Sequence, residues 1–303
     1  MSPQSRVFGT VEAGGTKIVC ALADESGTIH AESRFATRDP VATLAIASDF
    51  LHKVSHDFGT LAAIGVASFG PLVLDRRSEH YGRIGQTPKA GWSNTDIVGA
   101  FARQFSCPIG FDTDVNAAAL AEHRWGAGQD VENLVYVTVG TGIGGGVLVE
   151  GAALHGLMHP EIGHLHPRRH PLDATFAGVC PFHGDCIEGL ASGPAIVARS
   201  GAELNGLDAA HRQWDIEADY LGQLCAQLVA MVSPQRIIMG GGVMSQERLL
   251  PLIRQRLLHW LGGYIERPEI LLHVDGYVVA PALGNRAGIL GALILALNAA
   301  GER

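Results

Sequence analysis

The distribution of apolar and polar positions predicts two stretches of chain with the same plan. Val7–Leu22 reads as a strand, a turn at Gly14-Gly15 and a second strand. Leu134–Glu150 repeats that order around a glycine-rich tip at Gly140–Gly146. Two glycine-tipped hairpins, about 125 residues apart, indicate a duplicated α/β unit.

Apolar periodicity places further elements around the two hairpins. We expect strands at Leu61–Ser68, Pro108–Phe111 and Arg236–Met239, and helices at Pro40–His56, Asn94–Phe105, Asp114 to about Trp125, Ala195–Arg199, Ala218–Val232, from about Ser245, and Gly284–Leu297. The stretch Gly151–Gly189 is irregular. The predicted organisation is an N-terminal α/β domain over residues 1–117, with the last helix, about 286–303, packing back on it. A larger C-terminal α/β domain follows over residues 118–285, with a cleft between the two domains.

Composition excludes several classes of protein. The 303 residues suffice for two domains, and 47% apolar against 17% charged residues excludes disorder. A net charge of −8 is not that of a dedicated nucleic-acid-binding protein. The longest apolar run, Ala287–Leu297, is too short to span a membrane. With a polar N-terminus and an odd number of cysteines, we expect a cytoplasmic protein without a disulfide framework.

Three glycine-rich loops offer backbone N–H groups to a ligand. Gly140-x-Gly142-x-x-Gly145 has dinucleotide-binding spacing, but a strand follows it where that fingerprint needs a helix. Gly14-Gly15-Thr16-Lys17 lacks the length of a Walker loop. Two interpretations remain: ordinary β-turns, or a pair of tips that hold a polyphosphate. Gly240-Gly241-Gly242, between a strand and a helix, is either a nucleotide contact or a plain turn.

A cysteine and histidine cluster has the spacing of a metal site. Cys180-x-x-His183-x-x-Cys186 places three ligands within seven residues, and a fourth would complete a tetrahedral, structural zinc site. The alternative is two buried cysteines among surface histidines. The fourth ligand is left open by the spacing, since four histidines lie in reach: His159, His164, His166 and His170.

Several acidic residues are candidates for chemistry. Asp114 follows a strand and begins a helix. It either serves as a general base or caps the helix. Glu12, at the end of the first strand, is either a functional carboxylate or merely solvated. Glu161 and Glu188 flank the cysteine cluster and would suit ligand hydroxyls, or they are surface charges. Trp92 either lines a ligand pocket or belongs to the core.

Taken together, these motifs resemble the ROK family of sugar kinases, members of the actin-like superfamily. The resemblance lies in Glu12–Lys17, Asp112–Asn116, Val139–Gly146 and Pro160–His164, the last followed by the cysteine cluster. It extends from about residue 9 to 288. Thr87–Trp92 and Cys180–Cys186 resemble the bacterial fructokinase branch. The resemblance implies a duplicated actin-like/ribonuclease-H-like fold of two domains.

The resemblance also assigns roles to residues. Asp114 matches the catalytic base. Glu12 stands where the wider superfamily usually has an aspartate, which implies a role in holding Mg²⁺, directly or through water. The implied sugar contacts are Asn116, Glu161, His164, Glu188, Gly70 and Thr87. The implied nucleotide contacts are Gly14, Gly15, Thr16, Lys17, Thr141, Gly142, Pro194, Gly240, Gly241 and Gly242. His164 is favoured as the fourth zinc ligand, beside Cys180, His183 and Cys186. Asp112 and Thr113 depart from the family's Glu-Asn pattern, and we expect His155, His159, His166 and His170 to be exposed loop histidines.

The implied activity is that of an ATP- and Mg²⁺-dependent hexose kinase with a structural Zn²⁺, converting fructose to fructose 6-phosphate. A glucokinase or an N-acylhexosamine kinase of the same family is the alternative enzyme. A sugar-sensing repressor would need a DNA-binding domain ahead of the first strand, and we expect none. An actin-like ATPase without a sugar substrate would have no zinc cluster. A homodimer is expected by family resemblance, with neither nucleic acid nor membrane as partner.

Overall fold

The computed structural model describes residues 6–302. The chain divides into two compact units. The first unit comprises Met1–Ala121, Ala153–His159 and Asn285–Arg303, and the second comprises Glu122–Ala152 and Pro160–Gly284. The short segment at 153–159 therefore belongs to the first unit. The predicted boundary between residues 117 and 118 had assigned this segment to the C-terminal domain. The cleft predicted between the domains stays a prediction.

Within residues 6–302, the two units contain ten strands and ten α-helices. The strands are β1 Val7–Ala13, β2 Lys17–Asp24, β3 Ile29–Ala36, β4 Leu61–Ser68, β5 Ile109–Thr113, β6 Leu134–Val139, β7 Ile143–Val149, β8 Ala152–Ala153, β9 Arg236–Gly240 and β10 Val278–Val279. The helices are α1 Pro40–Phe58, α2 Ile97–Ala102, α3 Asp114–Trp125, α4 Ile187–Ala191, α5 Gly193–Ser200, α6 Gln213–Val232, α7 Leu249–Leu261, α8 Pro268–Leu271, α9 Val274–Tyr277 and α10 Ala287–Ala299.

Each unit is built on a five-stranded mixed sheet. The first has the order β3-β2-β1-β4-β5, in which β1 pairs antiparallel with β2 and parallel with β4. The second has the order β10-β9-β6-β7-β8, in which β6 pairs antiparallel with β7 and parallel with β9. Both sheets therefore place the third, second, first, fourth and fifth strands of their unit side by side. This repeated order confirms the duplicated actin-like/ribonuclease-H-like fold.

In the first unit, α10 lies directly against the sheet. A Cβ atom on Gly65 of β4 would lie 1.7 Å from the Ala292 carbonyl oxygen, and one on Gly110 of β5 would lie 2.0 Å from that of Leu295. Only glycine at these positions allows a helix backbone so close to the strands. The apolar helix, buried along almost its whole length, thus holds the two strands that end at the candidate site.

The second unit has a core between its sheet and the long helix α6. Val135, Val137 and Ile237 of the sheet are fully buried, as are Leu221 and Leu224 of α6. Among residues 6–302, no helix is long and apolar enough to cross a membrane.

Some predicted elements need correction. The strand Leu61–Ser68 is confirmed. The helix predicted over Asn94–Phe105 was wrong in extent: it covers Ile97–Ala102, because Asp96 accepts a hydrogen bond from the Gly99 N–H and so begins it later. The helix predicted from Ser245 begins at Leu249, since a 3₁₀ turn at Val243–Ser245 precedes it.

Candidate active site

The carboxyl ends of three parallel strands bring three predicted segments to one edge of the first sheet. Ala13 of β1 pairs with Ser68 of β4, which pairs in turn with Thr113 of β5. The residues that follow, Gly14, Phe69-Gly70 and Asp114, leave the sheet side by side. This is the edge at which open α/β sheets bind ligands.

Asp114 is a half-buried carboxylate at the first position of α3. The cap of this helix comes from Thr113, whose hydroxyl oxygen accepts a hydrogen bond from the Asn116 N–H at 3.0 Å. The Asp114 Oδ1 atom accepts the adjacent Val115 N–H, at 2.9 Å. Because Thr113 supplies the cap, the Asp114 carboxylate is available for another role.

Burial makes Asp114 a stronger base than an ordinary aspartate. It raises the pKa of this carboxyl to about 6, although the Val115 N–H opposes the rise. Glu12, near the end of β1, has its pKa raised to about 7, first by burial and then by the negative charge of Asp114. Glu12 is thus not merely solvated: α10 approaches it so closely that a Cβ on Gly288 would lie 2.4 Å from its carboxylate carbon.

Asp112, in β5 and two residues before the base, is buried in a polar network. Its Oδ1 atom accepts hydrogen bonds from the Thr113 N–H at 2.7 Å and from the Asn116 side-chain amide at 2.8 Å. Its Oδ2 atom lies 2.9 Å from His155 Nε2. The hydrogen bond to Asp112 raises the pKa of His155.

The glycine hairpin Gly14–Lys17 is a tight, solvent-facing tip. The Gly14 N–H donates to the Lys17 carbonyl at 3.0 Å, while Gly15, Thr16 and Lys17 are exposed. Thr37 supports the hairpin from the next strand, because its hydroxyl donates to the Gly14 carbonyl at 2.7 Å. The tip therefore presents its backbone and the Lys17 ammonium group to solvent while its base is held rigid.

The predicted sugar contacts Gly70 and Thr87 lie in the same unit. A Cβ on Gly70 would lie 3.3 Å from the His159 ring, so the two are in contact. Thr87 is half-buried, and its N–H donates to the Ser93 hydroxyl at 3.1 Å. Trp92 belongs to the core: it is fully buried, and its indole N–H donates to the Arg38 carbonyl.

In the second unit, two glycine loops and the start of α5 converge. Thr138 of β6 pairs with Gly240 of β9, so Gly140 and Gly241 leave the same edge of the sheet. The Gly193 N–H, at the start of α5, donates to the Gly140 carbonyl at 2.8 Å. Gly241 has a φ of 95° and no room for a Cβ, which would lie 2.4 Å from the Val139 carbonyl oxygen.

This convergence places Thr141, Gly142, Pro194 and Gly242 around one surface. Thr141, Pro194 and Gly242 are exposed there. Backbone N–H groups at glycine turns and a helix N-terminus are suited to an anion. The structure thus brings together every residue of the second unit that was predicted to contact the nucleotide.

Glu188 links the glycine hairpin of the second unit to the cysteine cluster. Its Oε2 atom accepts the Ile143 N–H at 3.0 Å, and a Cβ on Gly142 would come within 2.7 Å of that oxygen. Glu161 is half-buried, and its carbonyl accepts the His164 N–H at 3.0 Å. The Glu188 carboxylate is therefore tied to the local backbone, whereas Glu161 contributes its backbone carbonyl to the start of the 3₁₀ turn at Ile162–His164.

The four predicted zinc ligands form one cluster, with ligand atoms all within 4.8 Å of one another. The His164 Nδ1 atom lies 3.3 Å from His183 Nδ1, 3.8 Å from Cys180 Sγ and 3.5 Å from Cys186 Sγ. Cys180 Sγ lies 3.7 Å from His183 Nδ1. Tetrahedral zinc with ordinary bond lengths requires about 3.3 Å between two nitrogen ligands and about 3.6 Å between nitrogen and sulfur. The donor set therefore fits Zn²⁺ in both chemistry and spacing.

Two of the four histidines predicted to be exposed in loops, His159 and His170, were assigned wrongly. His159 is buried and its Nε2 accepts the Leu72 N–H at 2.9 Å. His170 is buried, and its Nδ1 accepts the Leu172 N–H. His155 is an exposed loop residue, as predicted, and it also pairs with Asp112. His166 is likewise exposed, and its ring lies 5.8 Å from that of His183, outside the ligand set.

Three contributors to the site were not found from the sequence. Thr37 and His155 act 23 and 43 positions away from their partners Gly14 and Asp112, so no local spacing points to them. The role of Gly288 becomes visible only in the structure, where α10 approaches the Glu12 carboxylate closely. By contrast, the Thr113 cap has a local signal, since a threonine before a helix is a common N-cap.

Comparison with known proteins gives a consistent match along the chain. The family model described as "ROK family" matches residues 8–299. The chain is 45% identical to a fructokinase from Zymomonas mobilis, with 99% of each chain covered. It is 40% identical to a fructokinase from Pediococcus pentosaceus, covering 96% of this chain and 97% of that one.

A solved structure shares the fold at lower identity. The crystal structure of a ROK family glucokinase from Streptomyces griseus, in complex with glucose and AMPPNP, is 25% identical with a TM-score of 0.74. The match covers 97% of this chain and 99% of that one.

Proposed function

The chain belongs to the ROK family, and on that premise we propose that it is a fructokinase, which transfers the γ-phosphate of ATP to the 6-hydroxyl of D-fructose. It is a phosphotransferase with an alcohol group as acceptor. The observation that carries the proposal is the Asp114 carboxylate, which is half-buried and is not needed as the helix cap. It lies at the carboxyl edge of the sheet, beside Gly70 and Gly14.

Asp114 acts as the general base in this proposal. Phosphoryl transfer needs a group that orients the attacking hydroxyl and accepts its proton, and in kinases a carboxylate does so. A carboxyl with a pKa of about 6 is ionised at neutral pH, yet is more basic than an ordinary aspartate. Asp114 would accept the proton of the sugar hydroxyl as the oxygen attacks the γ-phosphorus.

A divalent cation fits the neighbourhood of the base. Two carboxylates, Glu12 and Asp114, lie near enough for the charge of one to raise the pKa of the other, and a cation would relieve that repulsion. Magnesium is held by one or two carboxylates together with substrate phosphates. Glu12 would hold it directly or through water. When bound, Mg²⁺ neutralises the charge that develops on the phosphate oxygens.

The remaining predicted residues divide between nucleotide and sugar. We propose that the tip Gly14–Lys17 contacts phosphate, and that Thr141, Gly142, Pro194 and Gly240–Gly242 hold ATP. Convergence of these loops at one edge of the second sheet supports the assignment. Gly70, Thr87, Asn116, Glu161, His164 and Glu188 would bind the sugar. The Cys180, His183, Cys186 and His164 cluster would hold a structural Zn²⁺, which leaves no open position for chemistry.

A glucokinase or N-acylhexosamine kinase activity is the second candidate. The solved glucokinase with glucose and AMPPNP, at 25% identity, favours it, while the fructokinases at 40–45% identity favour fructose. One hydroxyl contact is enough to change sugar preference, because a site that binds a hydroxyl strongly rejects an analogue without it. The preferred hexose therefore distinguishes the candidates.

The test is ADP formation from Mg-ATP with fructose, glucose, mannose and N-acetylmannosamine as separate acceptors. We expect fructose to give the highest kcat/KM, with fructose 6-phosphate as product. A higher kcat/KM with glucose or N-acetylmannosamine would replace fructokinase by the second candidate. ATP turnover that ignores every sugar would exclude a sugar kinase.

The pKa of Asp114 predicts how kcat/KM for fructose falls at acid pH. Because the raised pKa is about 6, the carboxyl is neutral below that pH and ionised above it. A base must be ionised, so kcat/KM for fructose should fall about tenfold for each pH unit below 6. The measurement is initial rate against pH at constant Mg-ATP, with Asp114→Glu as the conservative variant. A profile that is flat down to pH 4.5 would contradict the assignment.

We also propose a cytoplasmic location and a homodimer. The proposed use of ATP supports the cytoplasmic location, because ATP is a cytoplasmic phosphate donor. Family resemblance supports the homodimer, and sedimentation equilibrium of the whole chain would measure its mass.

A further inference from the structure

A buried amide oxygen beside the proposed base has no partner. Asn116 is only 1% exposed, and within residues 6–302 its Oδ1 atom makes no hydrogen bond. Leaving a buried acceptor unpaired is unfavourable. Since an amide oxygen only accepts, the group that satisfies it must be a donor, as a sugar hydroxyl is.

The amide of Asn116 is oriented by Asp112. A carboxylate only accepts hydrogen bonds, so the Asn116 Nδ2 group must face it, and the oxygen must point away. Nδ2 donates to Asp112 Oδ1 at 2.8 Å. Asp112 is 4% exposed, so this bond lies in a region with little competing water.

His155 holds the other oxygen of Asp112. Its Nε2 lies 2.9 Å from Asp112 Oδ2 and donates its proton there. A nitrogen that donates this proton does not accept from the Asn116 Nδ2 group, which is 3.4 Å away. His155 therefore fixes the rotation of Asp112 and leaves the carboxylate as the partner of the amide.

Thr113 is already bonded to both of its neighbours in this network, Asp112 and Asn116. Its hydroxyl oxygen accepts the Asn116 N–H, and the residue is 2% exposed. Its N–H donates to Asp112. Among residues 112, 113 and 116, the unpaired polar atom is Asn116 Oδ1.

We propose that His155, acting through Asp112, is a positioning residue that holds the Asn116 amide oxygen ready to accept a hydrogen bond from a substrate hydroxyl. The inference rests on the proposed sugar kinase function. Asn116 makes the contact, and His155 does not touch the sugar.

The kinetic test compares His155→Leu with His155→Gln. Leucine removes the donor to Asp112, whereas glutamine retains one. His155→Leu should raise KM for fructose about tenfold, the loss of one oriented hydrogen bond, while kcat and KM for ATP stay unchanged. His155→Gln should restore the fructose KM. His80→Leu, at an exposed surface histidine of the same unit, is the control and should match the wild type.

A spectroscopic test is independent of activity. In protein labelled with ¹⁵N-asparagine, the Asn116 side-chain NH₂ signals, identified by their absence in Asn116→Ala, should exchange slowly with solvent. They should shift in His155→Leu and return in His155→Gln. Unchanged signals in His155→Leu would overturn the positioning role. Shifted signals with an unchanged fructose KM would overturn the contact between Asn116 and the hydroxyl.

The two proposals fail separately. If the wild-type chain phosphorylates no hexose, the proposed function fails, and the hydroxyl contact fails with it. The amide signals then still decide whether His155 orients Asn116. If fructose is phosphorylated and neither KM nor the signals respond to His155→Leu, the inference alone is overturned.

Discussion

Replacing Asp114 by asparagine should lower kcat by about 10²–10⁴-fold, the usual contribution of a general base. Asparagine has nearly the shape of aspartate and can accept the Val115 N–H through its amide oxygen. It cannot accept a proton from the sugar hydroxyl. The measurement is steady-state and single-turnover kinetics with fructose and Mg-ATP.

Two controls separate chemistry from folding in this experiment. The helix cap comes from Thr113, so the thermal midpoint of Asp114→Asn should remain at or above that of the wild type, because the variant lacks a carboxylate whose charged form is disfavoured by desolvation. Asp57→Asn, at an exposed carboxylate of the same unit, should leave kcat unchanged. An Asp114→Asn enzyme with the kcat of the wild type would show that another group takes the proton.

Removing the metal should produce the second large effect. We expect about one zinc per chain by elemental analysis, lost when Cys180 and Cys186 are both replaced by serine. The segment around these residues is irregular, and we expect metal coordination to contribute to the stability of its conformation. The thermal midpoint should fall by on the order of 10 °C, since 1 kcal/mol shifts it by about 2–4 °C in a domain of this size.

The control for the double variant is Cys107→Ser, at a half-buried thiol outside the cluster. It should keep both the zinc and the thermal midpoint. Fructose KM should rise in the double variant, because Glu188 follows Cys186 by two residues and His164 belongs to the cluster. A wild-type protein that contains no metal and keeps its midpoint in the presence of a chelator would contradict the structural zinc.

Local patterns were reliable where the physical cause is local. A strand, a glycine turn and a returning strand are set by neighbouring residues, so both hairpins and the strand Leu61–Ser68 could be predicted. The spacing of Cys180, His183 and Cys186 is likewise a local property. Helix limits were less accurate, because Asp96 and the 3₁₀ turn at Val243–Ser245 decide where α2 and α7 begin.

Histidine assignments show where local pattern fails. His159 and His170 lie in an irregular polar stretch that predicts exposure, yet both are buried. His159 accepts the Leu72 N–H, and His170 accepts the Leu172 N–H. His155 is exposed as predicted, but its partner Asp112 could not be predicted. A partner 43 or 87 positions away leaves no periodicity or spacing in the chain.

The residues alone therefore established the duplicated α/β plan, the candidate base and the metal-ligand spacing, since each depends on short-range geometry or on the chemistry of a side chain. Tertiary structure decided which histidine completes the cluster, that Thr113 rather than Asp114 caps α3, and that the Asn116 oxygen is left unpaired. These outcomes depend on which atoms of distant segments come within about 3 Å, the range of a hydrogen bond. Only the packing of strands and helices brings such atoms together.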